Sequence, residues 1–476
     1  MSAPVTTTVD RDDIQGIVGS GYSEQRAARY LMLGIADPVT ARAWLAALAG
    51  KLTTMNTRRG PNAINFALTA AGLARLGVAP EVVAMFSAEL TEGMATVGRS
   101  RGLGDVGPSD PSGWAWGGPG TGPIDLALLL YGTDQPALEA LHRSFSPDLA
   151  AAGLTVVATL DTSDHGDREP FGFHDGISQP VVDGFSAAAA DASTVTAGEF
   201  VLGYRNEYGR YTDRPLVPAT ADPKGMLPGD AARSGRADLG RNGTYLVVRQ
   251  LQQDVAGFWH FTDQATRSAD GTANPTARLK LAAQLVGRWP GGAPLILAPD
   301  GDDASLATAN AFGYFREDPD GVRCPLGAHI RRTNPRDSLD PKPGTQASVD
   351  VGKRHRILRR GREYGTRLTP EQAVSAQPGP AQPDSERGLQ FMCVNASIGR
   401  QFEFLQRTWV NNPKFNGLYA DRDPLIGTQP GSTFTAPGRP VRTRVNNLPA
   451  FVTVKGGAYF FLPGVRATRY LAEPGP

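Results

Sequence analysis

The chain has 476 residues, enough for two or three domains with a large buried core, and its 40% hydrophobic and 20% charged residues are typical of a globular protein. Its 48 Lys and Arg residues almost balance its 47 Asp and Glu residues, so nucleic acid and an anionic membrane surface are unfavourable partners. The sequence shows no signal-peptide or twin-arginine pattern and no apolar run near the roughly 18 residues of a membrane helix, so we expect a cytoplasmic protein.

The first half of the chain alternates predicted strands and helices. Asp37 as N-cap and Pro38 at the first helical position begin a helix that ends at Gly50. A later helix has Leu138 and Leu141 on one face. The strands around these helices are predicted at residues 29–35, 124–131 and 154–160.

The second half has a similar order of elements. A strand is predicted over residues 244–251, and Asn274 followed by Pro275 begins a helix that includes Trp289. Strands at residues 389–395, 451–454 and 457–462 and a helix at 400–409 complete the half. The pattern predicts two related α+β halves, each with helices on one face of an antiparallel sheet.

The segment GFHDGISQP, at residues 172–180, places an acid between two glycines. Glycine allows close approach of a ligand, so this loop could present Asp175 to a cavity. An ordinary Asx turn is the alternative, and the functional interpretation needs partners elsewhere in the chain.

The segment RCPLGAHIRRTNPR, at residues 323–336, has one His among small apolar neighbours and a run of arginines. Imidazole binds iron and arginines pair with carboxylates, so a planar cofactor with carboxylate groups would suit it. The alternative is a hydrogen-bonded core His beside a solvated basic loop.

A third segment, HRILRRGR at residues 355–362, contains Arg359. A guanidinium directed at a bound peroxide would stabilise the negative charge that develops as the O–O bond breaks. A run of surface arginines is the alternative.

Four segments occur in the order found in dye-decolorizing peroxidases: GFHDGISQP, CPLGAHIRRTNPR, HRILRRG and GLQFMCVNASIGRQFEFLQRTW. The chain resembles this family over essentially its whole length. The resemblance implies an α+β fold of two ferredoxin-like domains, each a four-stranded antiparallel sheet with helices, with haem in the C-terminal half. We place these domains at residues 1–180, ending in the GxxDG loop, and 244–476, with a connecting insertion at 181–243 and a long insertion at 333–387.

Residue by residue, the resemblance implies that Asp175 is the distal acid, Arg359 the distal arginine and His329 the ligand of the haem iron. Leu389 and Phe391 alternate along a predicted strand and match the apolar pair of the distal pocket. The implied cofactor is one haem b per chain. The residues that we expect to bind it are His329, Arg359, Gly176, Ile177, Leu389, Phe391 and Arg331.

The implied activity is that of a haem peroxidase, which reduces hydrogen peroxide and oxidises phenolic or dye-like substrates by one-electron steps. Asp175 would move a proton between the peroxide oxygens while Arg359 stabilises the separating charge. The partners are then hydrogen peroxide and a small organic reductant, and the sequence is compatible with an oligomer. One alternative is a haem-binding storage, sensor or iron-release protein with little turnover, and another is a haem-free metal enzyme using His174 and Asp175.

Relatives commonly have an acid in the helix after the NAS-like segment, where it bonds to the ligand histidine. This chain has Gly399 there. We therefore expect His329 to lack a carboxylate partner, unless Gln401, Glu403 or a backbone carbonyl takes over, and to give a raised reduction potential.

Bulky dyes should not enter a sealed distal pocket, so surface Trp or Tyr residues are candidates to carry electrons. Ordinary core packing is the alternative for each of them. The candidates are Trp114, Trp116, Trp259, Trp409 and Tyr364.

Overall fold

The computed structural model describes residues 8–57, 60–185, 191–376, 386–428 and 431–473. Both predicted insertions lie partly outside these residues, and the domain boundaries stay predictions. The strands are β1 (Ala27–Ile35), β2 (Asn62–Leu68), β3 (Leu126–Gly132), β4 (Leu154–Asp161), β5 (Leu216–Val217), β6 (Ala237–Asp238), β7 (Thr244–Gln253), β8 (Leu358–Arg359), β9 (Arg362–Tyr364), β10 (Gly388–Asn395), β11 (Ser432–Ala436), β12 (Thr443–Leu448) and β13 (Val452–Leu462).

The helices vary from single turns to several turns. They are α1 (Gly16–Gly19), α2 (Pro38–Ala49), α3 (Ala70–Arg75), α4 (Pro80–Val83), α5 (Ala88–Glu92), α6 (Val97–Leu103), α7 (Gln135–Ala151), α8 (Val255–Thr266), α9 (Pro275–Val286), α10 (His329–Thr333), α11 (Gln346–Lys353), α12 (Pro370–Ser375) and α13 (Val465–Leu471). Gly399–Glu403 and Leu405–Val410 form a π-helical segment. None of the helices in the described ranges is long and apolar enough to cross a membrane.

A nine-stranded antiparallel sheet runs through the molecule in the order β4-β1-β3-β2-β13-β7-β10-β8, and β9 also pairs with β10. The first four of these strands come from the N-terminal half and the others from the C-terminal half. Strands β2 and β13 join the halves, and they share one registered pair, Leu68 with Phe461. The two antiparallel sheets that we predicted are therefore continuous.

Alternating side chains of these strands pack on opposite faces of the sheet. Leu138, Leu141 and Phe145 of α7 are buried in the same core as Leu31 of β1. The preceding residue of β1, Tyr30, belongs to the core on the other face. Helix α7 therefore covers the face of the sheet on which Leu31 lies.

Most predicted elements agree with the structure, but the two strands predicted at residues 451–454 and 457–462 form one strand, β13. Strands β1, β3, β4, β7 and β10 lie where we predicted them, with ends that differ by one or two residues. Helix α9 ends at Val286 because Gly287, with φ of 101°, forms its C-cap, so Trp289 lies beyond the helix. The α-helix predicted at residues 400–409 was wrong in type, since this stretch is π-helical.

The register of the C-terminal strands places several side chains on one face. Phe391 of β10 pairs with Arg249 of β7, and Leu389 pairs with Leu251. Residues directly opposite each other in an antiparallel pair point to the same face. This face, with Arg359 on the adjacent β8, forms one wall of an internal cavity.

Candidate functional site

A cavity of about 310 Å³ lies between this wall, helices α9 and α10, and the π-helical segment. Its volume falls in the range typical of cofactor sites, which is about 300–1,000 Å³. Most of its lining is apolar, with a few charged groups. The predicted site residues that line it are Asp175, Ile177, His329, Arg359, Leu389 and Phe391.

Asp175 lies in the loop with two glycines in the left-handed region, Gly172 at φ of 101° and Gly176 at 79°. Its Oδ1 forms an ion pair with Nη1 of Arg359 at 2.6 Å. Burial alone would raise the pKa of Asp175, but Arg359 and the N–H of Gly176 outweigh burial and hold the pKa below its ordinary value. Asp175 is therefore a carboxylate at neutral pH, and Gly176 acts through its backbone.

The backbone of Arg359 is held by Gln179, which belongs to the same motif as Asp175, residues 172–180. The N–H of Arg359 donates to Oε1 of Gln179 at 3.1 Å, and Nε2 of Gln179 donates to the Arg359 carbonyl at 3.1 Å. This reciprocal pair attaches the loop of Asp175 to strand β8. The motif thus positions both members of the ion pair.

His329 is the first residue of α10, and its Nδ1 lies 2.9 Å from Oδ2 of Asp423. The other oxygen of Asp423 accepts from the N–H groups of Leu425 and Ile426, at 3.0 Å each. Burial lowers the pKa of His329, but the charge and hydrogen bond of Asp423 outweigh it, so the pKa is raised. With a proton on Nδ1 shared with Asp423, Nε2 is the nitrogen left to accept a ligand.

The predicted absence of a carboxylate at His329 was therefore wrong. Gly399 lies against Glu89 instead, and a Cβ there would be 2.4 Å from Oε1 of Glu89. The substitutes that we considered are engaged elsewhere: Gln401 donates to backbone carbonyls, and Glu403 forms ion pairs with arginines. Asp423 lies in a later loop, where spacing from His329 gives no sign of the contact.

Arg331 does not line the cavity, in contrast to our prediction. It is completely buried, donates to the carboxylate and carbonyl of Asp318 and to the Cys324 carbonyl, and lies over the ring of Tyr314. Two residues along a helix correspond to a rotation of about 200°, so Arg331 and His329 point in different directions.

Four arginines that we had not selected line the cavity, and one of them, Arg249, forms an ion pair with Asp105. Arg288 and Arg336 donate to backbone carbonyls, yet Nη2 of Arg288 and Nε of Arg336 are buried without a hydrogen-bond partner among the described residues. Arg356 donates to the Ser178 carbonyl at 3.1 Å. Burial lowers the pKa of Arg288 and of Arg356 to about 10, so both remain cationic at neutral pH.

The five aromatic residues that we considered for surface electron transfer are all buried. The largest exposed fraction among them is 8%, at Tyr364, and Trp259 is completely buried. Trp409 packs against the ring of His355, which itself lines the cavity. These residues belong to the core, as the alternative interpretation held.

Comparison with known proteins decides the family. The multifunctional dye peroxidase DyP2 of an Amycolatopsis strain is 30% identical over 489 residues, covering 97% of this chain and 95% of the relative. The chain belongs to the dye-decolorizing peroxidase family. The dye-decolorizing peroxidase AauDyP1 of Auricularia auricula-judae is 29% identical over 485 residues, covering 97% of this chain and 86% of the relative. No family model matches the chain.

Solved structures agree with this assignment. A fungal DyP-type peroxidase from Auricularia auricula-judae superposes with a TM-score of 0.79 at 25% identity, covering 98% of this chain and all of the other. The α+β fold with two ferredoxin-like halves is confirmed. The chain is thus a haem-dependent peroxidase that uses peroxide and an organic reductant, and the storage, sensor or iron-release alternative is not favoured.

The cavity residues of this peroxidase suit haem. An imidazole supported by a carboxylate is a common axial ligand, and His329 has that support in Asp423. The unpartnered N–H groups of Arg288 and Arg336 are donors of the kind that bind carboxylates, as haem propionates would require. Among the described residues, no three His, Cys, Asp or Glu side chains group so as to hold a bare metal ion.

Proposed function

We propose that this chain binds one haem b in the cavity, with Nε2 of His329 as the protein ligand of the iron. Arg288, Arg336 and Arg356 are the residues that would hold the propionates. Ile177, Leu389 and Phe391 would contact the apolar part of the ring. When bound, the haem supplies the redox-active iron that accepts two oxidising equivalents from hydrogen peroxide.

The observation that carries the proposal is the ion pair of Asp175 and Arg359 at 2.6 Å, in the same cavity as the His329–Asp423 pair. Asp175 is the base that takes a proton from one peroxide oxygen and returns it to the other, which leaves as water. Its low pKa keeps it ready as a base at neutral pH. Arg359 orients the carboxylate and stabilises negative charge on the departing oxygen.

The apolar side chains beside this ion pair restrict what can reach it. Leu389 and Phe391 of β10 line the cavity, and the ring of Phe391 packs 6.2 Å from that of Phe402. A small, polar molecule such as hydrogen peroxide suits the remaining space. A phenol or a dye-like compound is the reductant that we propose, oxidised in two one-electron steps.

The test is an absorption spectrum of haem-loaded protein before and after one equivalent of peroxide. We expect Asp175→Asn and Arg359→Leu to bind haem but to slow the peroxide step, on the order of a hundredfold for the loss of a general base. The exposed ion pair of Arg26 with Asp164 provides the control Arg26→Leu, which should react as the unmodified protein does. Normal peroxide rates in both cavity variants would reject these roles.

The pH dependence follows from the pKa of Asp175. Since only the carboxylate can accept a proton, the peroxide step should slow as the pH falls through that pKa. The pKa lies below the ordinary aspartate value of about 4, so the acid limb should lie below pH 4 as well. Stopped-flow measurements across that pH range check this, with Arg359→Leu expected to move the limb to higher pH.

A further inference from the structure

Besides Asp175, and Asp105 in its ion pair with Arg249, the carboxyl group of Glu169 lines the cavity. Glu169 lies earlier in the same loop, and its Oε1 accepts from the N–H of Phe173 at 3.0 Å. Its Oε2 accepts from the N–H of Phe171 at 3.0 Å and from Nε2 of Gln253 at 3.1 Å. These three donors are neutral, and within the described ranges no cation forms an ion pair with Glu169.

Another acid follows on the sheet. Glu363 of β9 is directly opposite Leu389 of β10, which lines the cavity. Opposed residues of an antiparallel pair point to the same face, so Glu363 emerges on the cavity side of the sheet, one strand farther out. Its side chain is partly exposed.

The charged groups around Glu169 do not compensate its charge. Asp175 and Glu363 are both acidic, and Arg359 is paired with Asp175. Arg168, the neighbour in the chain, donates to two backbone carbonyls. A partly buried carboxyl group surrounded by neutral donors and other acids favours its protonated form.

The pKa values follow this arrangement. Burial, and to a smaller extent the charge of Asp175, raise the pKa of Glu169 to about 7. Burial, with Asp175 and Glu169 adding to it, raises the pKa of Glu363 to about 7, against a smaller opposite effect of Arg362. Asp175 is held below its ordinary pKa. At neutral pH the cavity thus contains Asp175 as a carboxylate and Glu169 as an acid that can release a proton.

The reaction needs such an acid. Each turnover converts H₂O₂, two electrons and two protons into two molecules of water. Each phenol that supplies an electron releases its proton where it is oxidised, so the protons must enter the cavity by their own route. Asp175 can pass a proton on, but at neutral pH it holds none.

We propose that Glu169 delivers solvent protons to the cavity while the enzyme returns to its resting state, with Glu363 as the outer member of the pair. The inference rests on the proposed function, in which Asp175 acts in the earlier, peroxide-consuming step. Oε1 of Glu169 is the atom to carry the proton, because it accepts one hydrogen bond and Oε2 accepts two. Glu169 then gives its proton to water or to Asp175 and is reprotonated through Glu363.

The experiment measures the two steps separately in haem-loaded protein. In Glu169→Gln we expect a normal first reaction with one equivalent of peroxide, but a return to the resting state with a phenol that is slower on the order of a hundredfold. In this variant the rate of return to the resting state should no longer depend on an ionisation near pH 7. Glu363→Gln should slow the same step less. The matched control is Asp167→Asn, since Asp167 is an acid of the same loop with 62% of its side chain exposed.

Two further readouts separate proton transfer from a structural role. Small carboxylic acids such as propionic acid should restore the return step of Glu169→Gln in proportion to their concentration. In the haem-free protein, Glu169 and Glu363 should give two infrared carboxyl bands that titrate near pH 7, and only the band of Glu169 should be absent from this variant. If Glu169→Gln does not fold, Glu169→Asp, which keeps the acid but shortens its reach, is measured by the same criteria.

A normal, pH-dependent return step in Glu169→Gln would overturn the proposal, as would a slow return that no added acid restores. Either result leaves the roles of Asp175 and Arg359 intact. Those roles fail only if Asp175→Asn and Arg359→Leu both consume peroxide at the normal rate.

Discussion

The carboxylate of Asp423 sets how strongly His329 can donate to iron. Because Asp423 is completely buried and accepts from two backbone N–H groups, it stays fixed while it holds Nδ1 of His329. A charge-assisted hydrogen bond of this kind contributes about 1.5–3 kcal/mol. A more basic imidazole stabilises ferric over ferrous iron, so the reduction potential should be low and not raised.

Asp423→Asn tests this effect on the haem-loaded protein. Since a tenfold change in a one-electron equilibrium corresponds to about 59 mV, we expect the potential to rise by on the order of 60 mV or more. Spectroelectrochemical titration measures it. Asp421→Asn is the control from the same loop, because the Asp421 carboxylate binds Thr433 and Thr435 and does not contact His329. An equal rise in both variants would show that loop packing, and not the carboxylate at His329, sets the potential.

How much of the site could be predicted depended on where each contact is encoded. Asp175 and Gln179 belong to one continuous motif, so their neighbourhood could be predicted from the sequence. The support of His329 could not, because Asp423 reaches it from a distant loop and only packing brings the two together. The prediction for Arg331 was wrong for the opposite reason. Arg331 is only two residues from His329 in sequence, but the helix directs its side chain toward Asp318.

At the scale of elements, the buried acid Glu403 is one of the contacts that attach the π-helical segment to helix α6. Glu403 accepts from Nη1 of Arg99 at 3.0 Å, from the hydroxyl of Tyr459 at 2.8 Å and from Nη2 of Arg407 at 2.8 Å. Periodicity predicted an α-helix here because the apolar spacing of the two helix types is similar over so few residues. The widened turn depends on tertiary contacts such as these, which no local pattern contains.

Glu403→Ala should therefore destabilise the fold by about 3–5 kcal/mol, because it leaves Arg99 buried without its main partner. Urea unfolding of the haem-free protein measures the change. Glu92 also pairs with Arg99, at 2.9 Å, but 57% of its side chain is exposed, so Glu92→Ala should change stability by less than about 1 kcal/mol. Similar losses in the two variants would contradict the importance of the buried acid.

At the scale of the whole molecule, the two halves meet at a seam with little strand pairing. Strands β2 and β13 share one registered pair, and the side chain of Gln15 provides hydrogen bonds where the ladder is incomplete. Its Nε2 donates to the carbonyls of Phe66 and Pro463, at 2.9 Å each, and its Oε1 accepts from the N–H of Phe66 at 3.0 Å. The predicted halves were recognisable from the order of elements, but the seam was not, because it depends on a glutamine far from both strand ends in sequence.

Gln15→Leu removes these hydrogen bonds while keeping a side chain of similar size. Backbone groups of Phe66 and Pro463 then stay buried without partners, so we expect a loss of about 2–5 kcal/mol at a position that is completely buried. Urea unfolding followed by both fluorescence and circular dichroism measures it, with Gln135→Leu, at an exposed glutamine, as the control. If the seam couples the halves, the variant should also unfold in two separated transitions where the unmodified chain unfolds in one. A single transition with unchanged midpoint would mean that other contacts hold the halves together.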